Sequence, residues 1–164
     1  MEKLQQVYRA MIHFNAGDPR KIQHFAKVHS FAKLIGEMEG LDERTQEILE
    51  ITAYVHDIGI KVAKEKYGTC TGKLQEDEGA IASKDLLEKL GFKEDLIERV
   101  SYIVGHHHTY TDIDGLDYQI LVEADFLVNL YEGKTGMEGI LSAYNKIFQT
   151  ESGKQICKTM FGIE

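Results

Sequence analysis

Residues 48–59 read Ile48-Leu49-Glu50-Ile51-Thr52-Ala53-Tyr54-Val55-His56-Asp57-Ile58-Gly59. Ile48, Leu49, Ile51, Ala53 and Val55 make an apolar run that delivers an imidazole and a carboxylate side by side. A run of this kind leads into a core or a cleft, where both groups are costly unless compensated. A metal ion compensates both at once, because neutral His nitrogen and Asp oxygen are ligands. A buried His–Asp hydrogen bond with no metal is the plainer reading, and a dipeptide is too short to decide between them.

Outward from this stretch the chain reads as all-helical. Its one proline is Pro19, so helix interiors are free of proline, and apolar residues recur mostly every 3–4 positions. Asp18-Pro19 is an N-cap followed by proline at the first helical position. The helix it opens is expected to run to about Met38 and stop at Gly40. Asp42 caps the next, which should end near Ile58-Gly59. The polar stretch from Lys61 to Gly72, with Gly68 and Gly72 and no clear period, is read as a mobile loop beside the His–Asp pair. Further helices are expected from about Leu74 to Leu90, Glu94 to Gly105 and Asp117 to Tyr131. A loop is expected from Thr109 to Gly115. Residues Gly133 to Gly136 break the chain before one or two last helices. The Asp117–Tyr131 helix is apolar on most sides and should be central. There is no repeat or low-complexity tract, and 164 residues suit one domain spanning 1–164.

Composition narrows the classes. With 43% apolar and 28% charged residues the profile is that of a soluble globular protein. No apolar stretch approaches the ~18 residues of a membrane span, and Met1-Glu2-Lys3-Leu4-Gln5-Gln6 carries no secretory h-region. The two cysteines, Cys70 and Cys157, have no zinc or redox motif around them. Reduced thiols in a cytoplasm are the simplest reading. A net charge of −8 argues against duplex nucleic acid as partner, since phosphate backbones need a basic surface. It does not argue against a small phosphorylated substrate, because a bound metal or a few local cations override the global sign.

Other residues can complete a metal site. On the second helix Phe25, Val28, Phe31, Ala32, Leu34, Ile35 and Met38 centre on one face. His24 falls within roughly 15° of that centre and His29 lies roughly 120° away. A core histidine bonded to a backbone carbonyl is the plainer reading of His24. Asp125 sits in Ile120-Leu121-Val122-Glu123-Ala124-Asp125-Phe126-Leu127-Val128-Asn129-Leu130, the most apolar helix, where only Glu123, Asp125 and Asn129 are polar. No Arg or Lys stands within one turn of Asp125, so its carboxylate wants a cation unless the helix is partly exposed. Asn129, four residues on, shares its face. His106-His107-His108 follows Val100, Ile103 and Val104. Continued helical phase puts His107 on the apolar face, but Gly105 can end the helix there. A surface cluster is the alternative.

His24, His56-Asp57 and Asp125, in that order on helices, resemble the HD-domain metal-dependent phosphohydrolase superfamily. The resemblance covers about Asp18 to Tyr131. His24-x3-Val28-x3-Ala32 resembles the family's opening helix and Ala53-Tyr54-Val55-His56-Asp57-Ile58-Gly59 its signature. Glu78-Gly79-Ala80-Ile81-Ala82 resembles its Gly-Ala helix, Ile103-x2-His106-His107 its following His, and Glu123-Ala124-Asp125-Phe126-Leu127 its closing motif. The resemblance implies an all-α HD-type bundle with a metal between central helices, followed by C-terminal helices over 135–164. It also implies His24, His56, Asp57 and Asp125 as ligands to a divalent ion: Mn, Fe, Co, Ni, Mg or Zn. Many members carry a Lys three residues after the signature Asp. Here that position is Ile60, with Lys61 one later, so Lys61 and Asn129 are the candidates for holding substrate. Two-metal members carry an extra His just before the Gly-Ala pair. Here Gln75-Glu76-Asp77-Glu78 has none, so a second metal requires Glu76 or Glu78 in its place. The Glu-Asp pair of stringent-response nucleotide hydrolases is absent, although Asn129 resembles theirs.

The expected activity is hydrolysis of a nucleotide or another small phosphate ester. A divalent ion lowers the pKa of its water and polarises a phosphoryl oxygen. In this reading Asp57 ligates the ion and orients the water, His106 or His107 protonates the leaving oxygen, and Glu78 serves as base if it faces the site. An ordinary first-turn helix acid is the other reading of Glu78. The rival function is a metal-binding or ligand-sensing module with little turnover. A third is a di-iron oxygenase, against which the missing His before Gly79 counts.

Overall fold

The structure is a computed structural model and describes residues 2–164. Among these it forms nine helices and no strand. They are α1 (Lys3–Phe14), α2 (Pro19–Met38), α3 (Glu43–Val55), α4 (Gly59–Tyr67), α5 (Gly72–Lys89), α6 (Glu94–Val104), α7 (Leu116–Glu132), α8 (Met137–Lys146) and α9 (Glu151–Phe161). Among the described residues no helix is long and apolar enough to cross a membrane.

Local chemistry sets the boundaries. Asp18 caps α2 by accepting from the Lys21 amide at 3.1 Å, with Pro19 in the first turn. Asp42 caps α3 through Thr45 in the same way. Past Met38, Gly40 takes φ +73° while the Leu41 amide bonds back to Gly36 O. This is the left-handed C-terminal stop that glycine favours.

α2, α3 and α7 pack on one another, and α3 is also covered by α1 and α6. Every residue of α3 from Ile48 to Val55 is buried. α7 is buried along most of its length, as its all-round apolar pattern implies. Each fully buried Leu or Ile at these contacts stabilises by about 1.5–3 kcal/mol. α4, α5 and α6 form a flank in which α5 touches both neighbours. α9 packs on α7 and α2, with α8 against α9.

Two features depart from expectation. α3 ends at Val55, and His56-Asp57-Ile58 form a turn rather than a last helical turn. The stretch from Lys61, expected as a mobile loop to Gly72, is largely helix α4. Lys61, Ala63, Lys64, Glu65 and Lys66 are good helix formers, but of the helix only Gly59 and Ala63 are buried, too few to print a period. Gly68 ends it at φ +69°.

The turn is held from behind by a glycine contact. A Cβ on Gly59 would sit 2.2 Å from Gln75 O and 2.6 Å from the Gly79 amide nitrogen. A glycine at 59 lets α4 and α5 cross this closely, and the crossing helps fix where the His56-Asp57 turn points.

α7 carries two buried carboxylates with different fates. Glu123 is fully buried, and neutral donors surround it. Gln119 Nε2, the Gln149 and Thr150 amides and Thr150 Oγ1 donate to it at 2.6–3.0 Å. It anchors the start of α9, where a negative charge also suits the helix dipole. Asp125, on the opposite side of the helix, receives one such bond, from Asn129 Nδ2 at 2.9 Å.

Candidate metal centre

α2 brings His24, the α3–α4 turn brings His56 and Asp57, and α7 brings Asp125. His24 Nε2 lies 3.3 Å from His56 Nε2, 3.3 Å from Asp57 Oδ2 and 3.2 Å from Asp125 Oδ1. His56 Nε2 lies 3.4 Å from each of the same two oxygens. Donors about 2.1 Å from one ion stand about 3.0 Å apart at right angles and about 3.4 Å apart at tetrahedral angles. These atoms have the spacing of a single coordination sphere.

The imidazoles are oriented from outside. His24 Nδ1 is 2.6 Å from Glu132 Oε1, and Glu132 Oε2 accepts from Lys27 Nζ at 2.9 Å. His56 Nδ1 donates to Ala53 O at 2.8 Å. A ring whose Nδ1–H is given away keeps the Nε2 lone pair for the interior.

The electrostatics point the same way. For His24, burial pulls the pKa down, but hydrogen bonds to Asp125 and Asp57 outweigh it and raise the value to about 9. For His56, burial is again overcome, here by the charges of Asp57 and Asp125, and the pKa stands well above its ordinary value. Burial pushes both carboxylates up, yet the charge of His56 and the hydrogen bonds around them hold Asp57 and Asp125 well below the usual range. The cluster demands positive charge at its centre. In the metal-free chain, protons on Nε2 supply it; a divalent ion supplies it without protons.

A second donor group adjoins the first. Asp57, His107 and His108 bring ligand atoms within 4.8 Å of one another. His107 is 2% exposed, donates Nδ1–H to Val104 O at 2.7 Å and holds Nε2 3.4 Å from Asp57 Oδ1. That Nε2 is buried and makes no hydrogen bond. Asp57 thus turns Oδ2 to the first group and Oδ1 to His107. The orphaned nitrogen and the all-N/O donor set both fit a divalent ion.

The remaining sequence candidates separate. His106 points away: its Nδ1 bonds Tyr102 O at 2.6 Å, and its ring stacks on Tyr102 beside a different groove. Gly105 ends α6 before it, so the three histidines do not follow helical phase. Glu78, expected as a base if it faced the site, is bonded to other partners. Its oxygens accept from Lys66 Nζ and Tyr67 OH, each at 2.9 Å, because the α4–α5 crossing turns it toward the end of α4. Lys61 is committed elsewhere, donating to Phe14 O at 2.9 Å and lying over the Phe14 ring. Asn129 lines the cleft while holding Asp125. His29 is well apart, between Glu50 and Tyr54, each 3.0 Å away. Glu76 accepts from the His108 amide and Thr109 Oγ1 and ties down the histidine turn. The donors that lie together beside Asp57 are His107 and His108.

Sequence reasoning missed His108 and Glu132. His108 lines the cleft with Nε2 2.9 Å from Gln75 Oε1, and burial, then the charge of His107, lowers its pKa. The signal for it was Gly105, which frees consecutive residues after α6 to face one way. Glu132 is an acid at a helix end, a pattern with no local mark.

The first group opens onto a cleft of about 520 Å³ whose walls include His24, Asp57, Asp125, His108 and Asn129. The fold and site define a helical domain with a two-His, two-Asp cluster between its central helices. The model of the HD domain family matches residues 22–141, and the chain belongs to that family. No curated protein matches it. A crystal structure described as a predicted HD superfamily hydrolase, from an uncultured Thermotogales bacterium, is 23% identical. It superposes with a TM-score of 0.70 over 96% of this chain and 84% of that one, which shows a shared fold.

Proposed function

We propose that this chain is a metal-dependent phosphohydrolase acting on a nucleotide or another small phosphate ester. The observation that carries the reading is the convergence of His24 Nε2, His56 Nε2, Asp57 Oδ2 and Asp125 Oδ1 at one edge of an open cleft.

His24, His56, Asp57 and Asp125 would hold the ion. When bound it supplies a Lewis acid for a phosphoryl oxygen and makes water a better nucleophile. The protein's own groups do the rest. Glu132 and the Ala53 carbonyl lock the two imidazoles, so the donors need little rearrangement. His108 and Asn129 line the space where the ester lies. In a one-ion enzyme, His107 can serve the leaving oxygen only with a proton on Nε2 shared with Asp57 Oδ1 at 3.4 Å, because its Nδ1–H is held by Val104 O. In a two-ion enzyme the same nitrogen is a ligand with His108 and Asp57, and the two roles exclude each other. The paired group also favours a second reading, a di-iron oxygenase, which requires two irons per chain on anaerobic metal analysis.

The test is hydrolysis of generic phosphomonoesters and phosphodiesters by metal-stripped protein resupplied with Mn, Co, Ni, Mg or Fe. The proposal expects turnover with at least one metal and its loss on chelation. A protein that binds metal but turns over neither ester with any of them is a binding or sensing module instead.

A further inference from the structure

The cleft has a wall that the metal centre does not use. The main chamber adjoins a side lobe of about 350 Å³, and Lys21 and Lys64 line both. Arg20 lines the main chamber. Arg20 and Lys21 stand in the first turn of α2, and Lys64 stands on α4. The chain carries 27 acidic residues against 19 basic ones. Even so, the Arg20, Lys21 and Lys64 side chains make no ion pair among the described residues. Other cations beside carboxylates are paired, Lys27 with Glu132 at the edge of the same cleft and Lys66 with Glu78 at the end of α4. Asp18, which borders the same space, spends an oxygen capping α2, so the cationic side chains rather than helix amides face the cleft.

We propose that Arg20, Lys21 and Lys64 form a subsite for a second phosphate that is not cleaved, so that preferred substrates carry at least two phosphates. The inference rests on the phosphohydrolase reading, which puts the cleaved group at the metal centre. Asp57 and Asp125 balance the ion's own charge, so the cleaved phosphate draws on the cleft's cations too. Lys21 and Lys64 also line the side lobe, which leaves room beside it for a second anionic group. Unpaired cations that line both the chamber and the lobe suit a second anionic group placed beside the first. Arginine offers a planar fork to phosphate oxygens and lysine a mobile point charge.

The experiment is calorimetric titration of metal-stripped protein with pyrophosphate and with orthophosphate. Pyrophosphate is expected to bind at least tenfold more tightly, and added salt should weaken it. The double variant Arg20→Gln/Lys64→Gln should erase the preference, and Lys84→Gln, remote on α5, should keep it. Both Arg20 and Lys64 are exposed, so the variant should fold. Equal affinities, no binding of either anion, or a preference surviving in the double variant overturns the proposal. The two readings fail separately. Preference without turnover of any phosphate ester removes the hydrolase and leaves the subsite, whereas turnover without preference removes the subsite alone.

Discussion

Raising the pH on the metal-free protein should destabilise it over a definite window. His24 has its pKa raised from 6.5 to about 9 in the folded chain. A raised histidine contributes stability that is fully present below its unfolded value and is lost as pH climbs through the folded one. At about 1.4 kcal/mol per pKa unit, His24 alone accounts for about 3 kcal/mol lost between roughly pH 6.5 and 9. His24 is 7% exposed, so solvent screening removes little of this. His56, also raised, acts in the same direction. Asp57 and Asp125 are depressed, and what they contribute is lost on the acid side, below the ordinary carboxylate range. The lowered pKa of His108 acts only below the window. With an ion in place the histidines hold no exchangeable Nε2 proton, and the slope should vanish. The assay is urea unfolding at pH 6, 7.5 and 9, with chelator and with excess Mn²⁺. A flat metal-free profile, or the same loss in the loaded protein, refutes the electrostatic account of the cluster.

Other expectations follow from single contacts. Glu132→Gln should weaken metal binding by about 10–100-fold, since it loosens His24 from behind, and a metal titration reads it. Gly59→Ala should cost at least about 1–3 kcal/mol in denaturant unfolding, because a Cβ meets the Gln75 carbonyl and the turn carrying His56 and Asp57 must shift. His107→Ala should lower turnover far more than His106→Ala, whose ring stacks on Tyr102 away from the cluster; equal losses in steady-state rates contradict this placement.

Much of this was legible in the chain because caps and periodicity are local. Asp18-Pro19, Asp42 and Gly40 mark α2 and α3 with chemistry that acts within four residues. His24 was separable from His29 by helical phase, and their positions in the fold agree with that phase. Asp125 stood out because no neighbouring cation answers its charge. What stayed hidden depends on how helices cross. Glu78 faces Lys66 and Tyr67 only because the Gly59–Gly79 contact sets α5 against α4. α4 itself buries too little to show a period. His108 reaches the cleft because the chain leaves helical geometry at Gly105, where phase carries no information. Glu132 and His24 are 108 residues apart, and no pattern within a helix links them.

The central claim, that the chain is built around a metal held by His24, His56, Asp57 and Asp125, is tested most directly by metal content after reconstitution and gel filtration. Wild-type protein and His29→Ala are predicted to retain the ion, and His24→Ala is predicted to lose it while staying helical by circular dichroism. A His24→Ala protein that keeps its full metal complement, or a folded His29→Ala protein that loses it, contradicts the account.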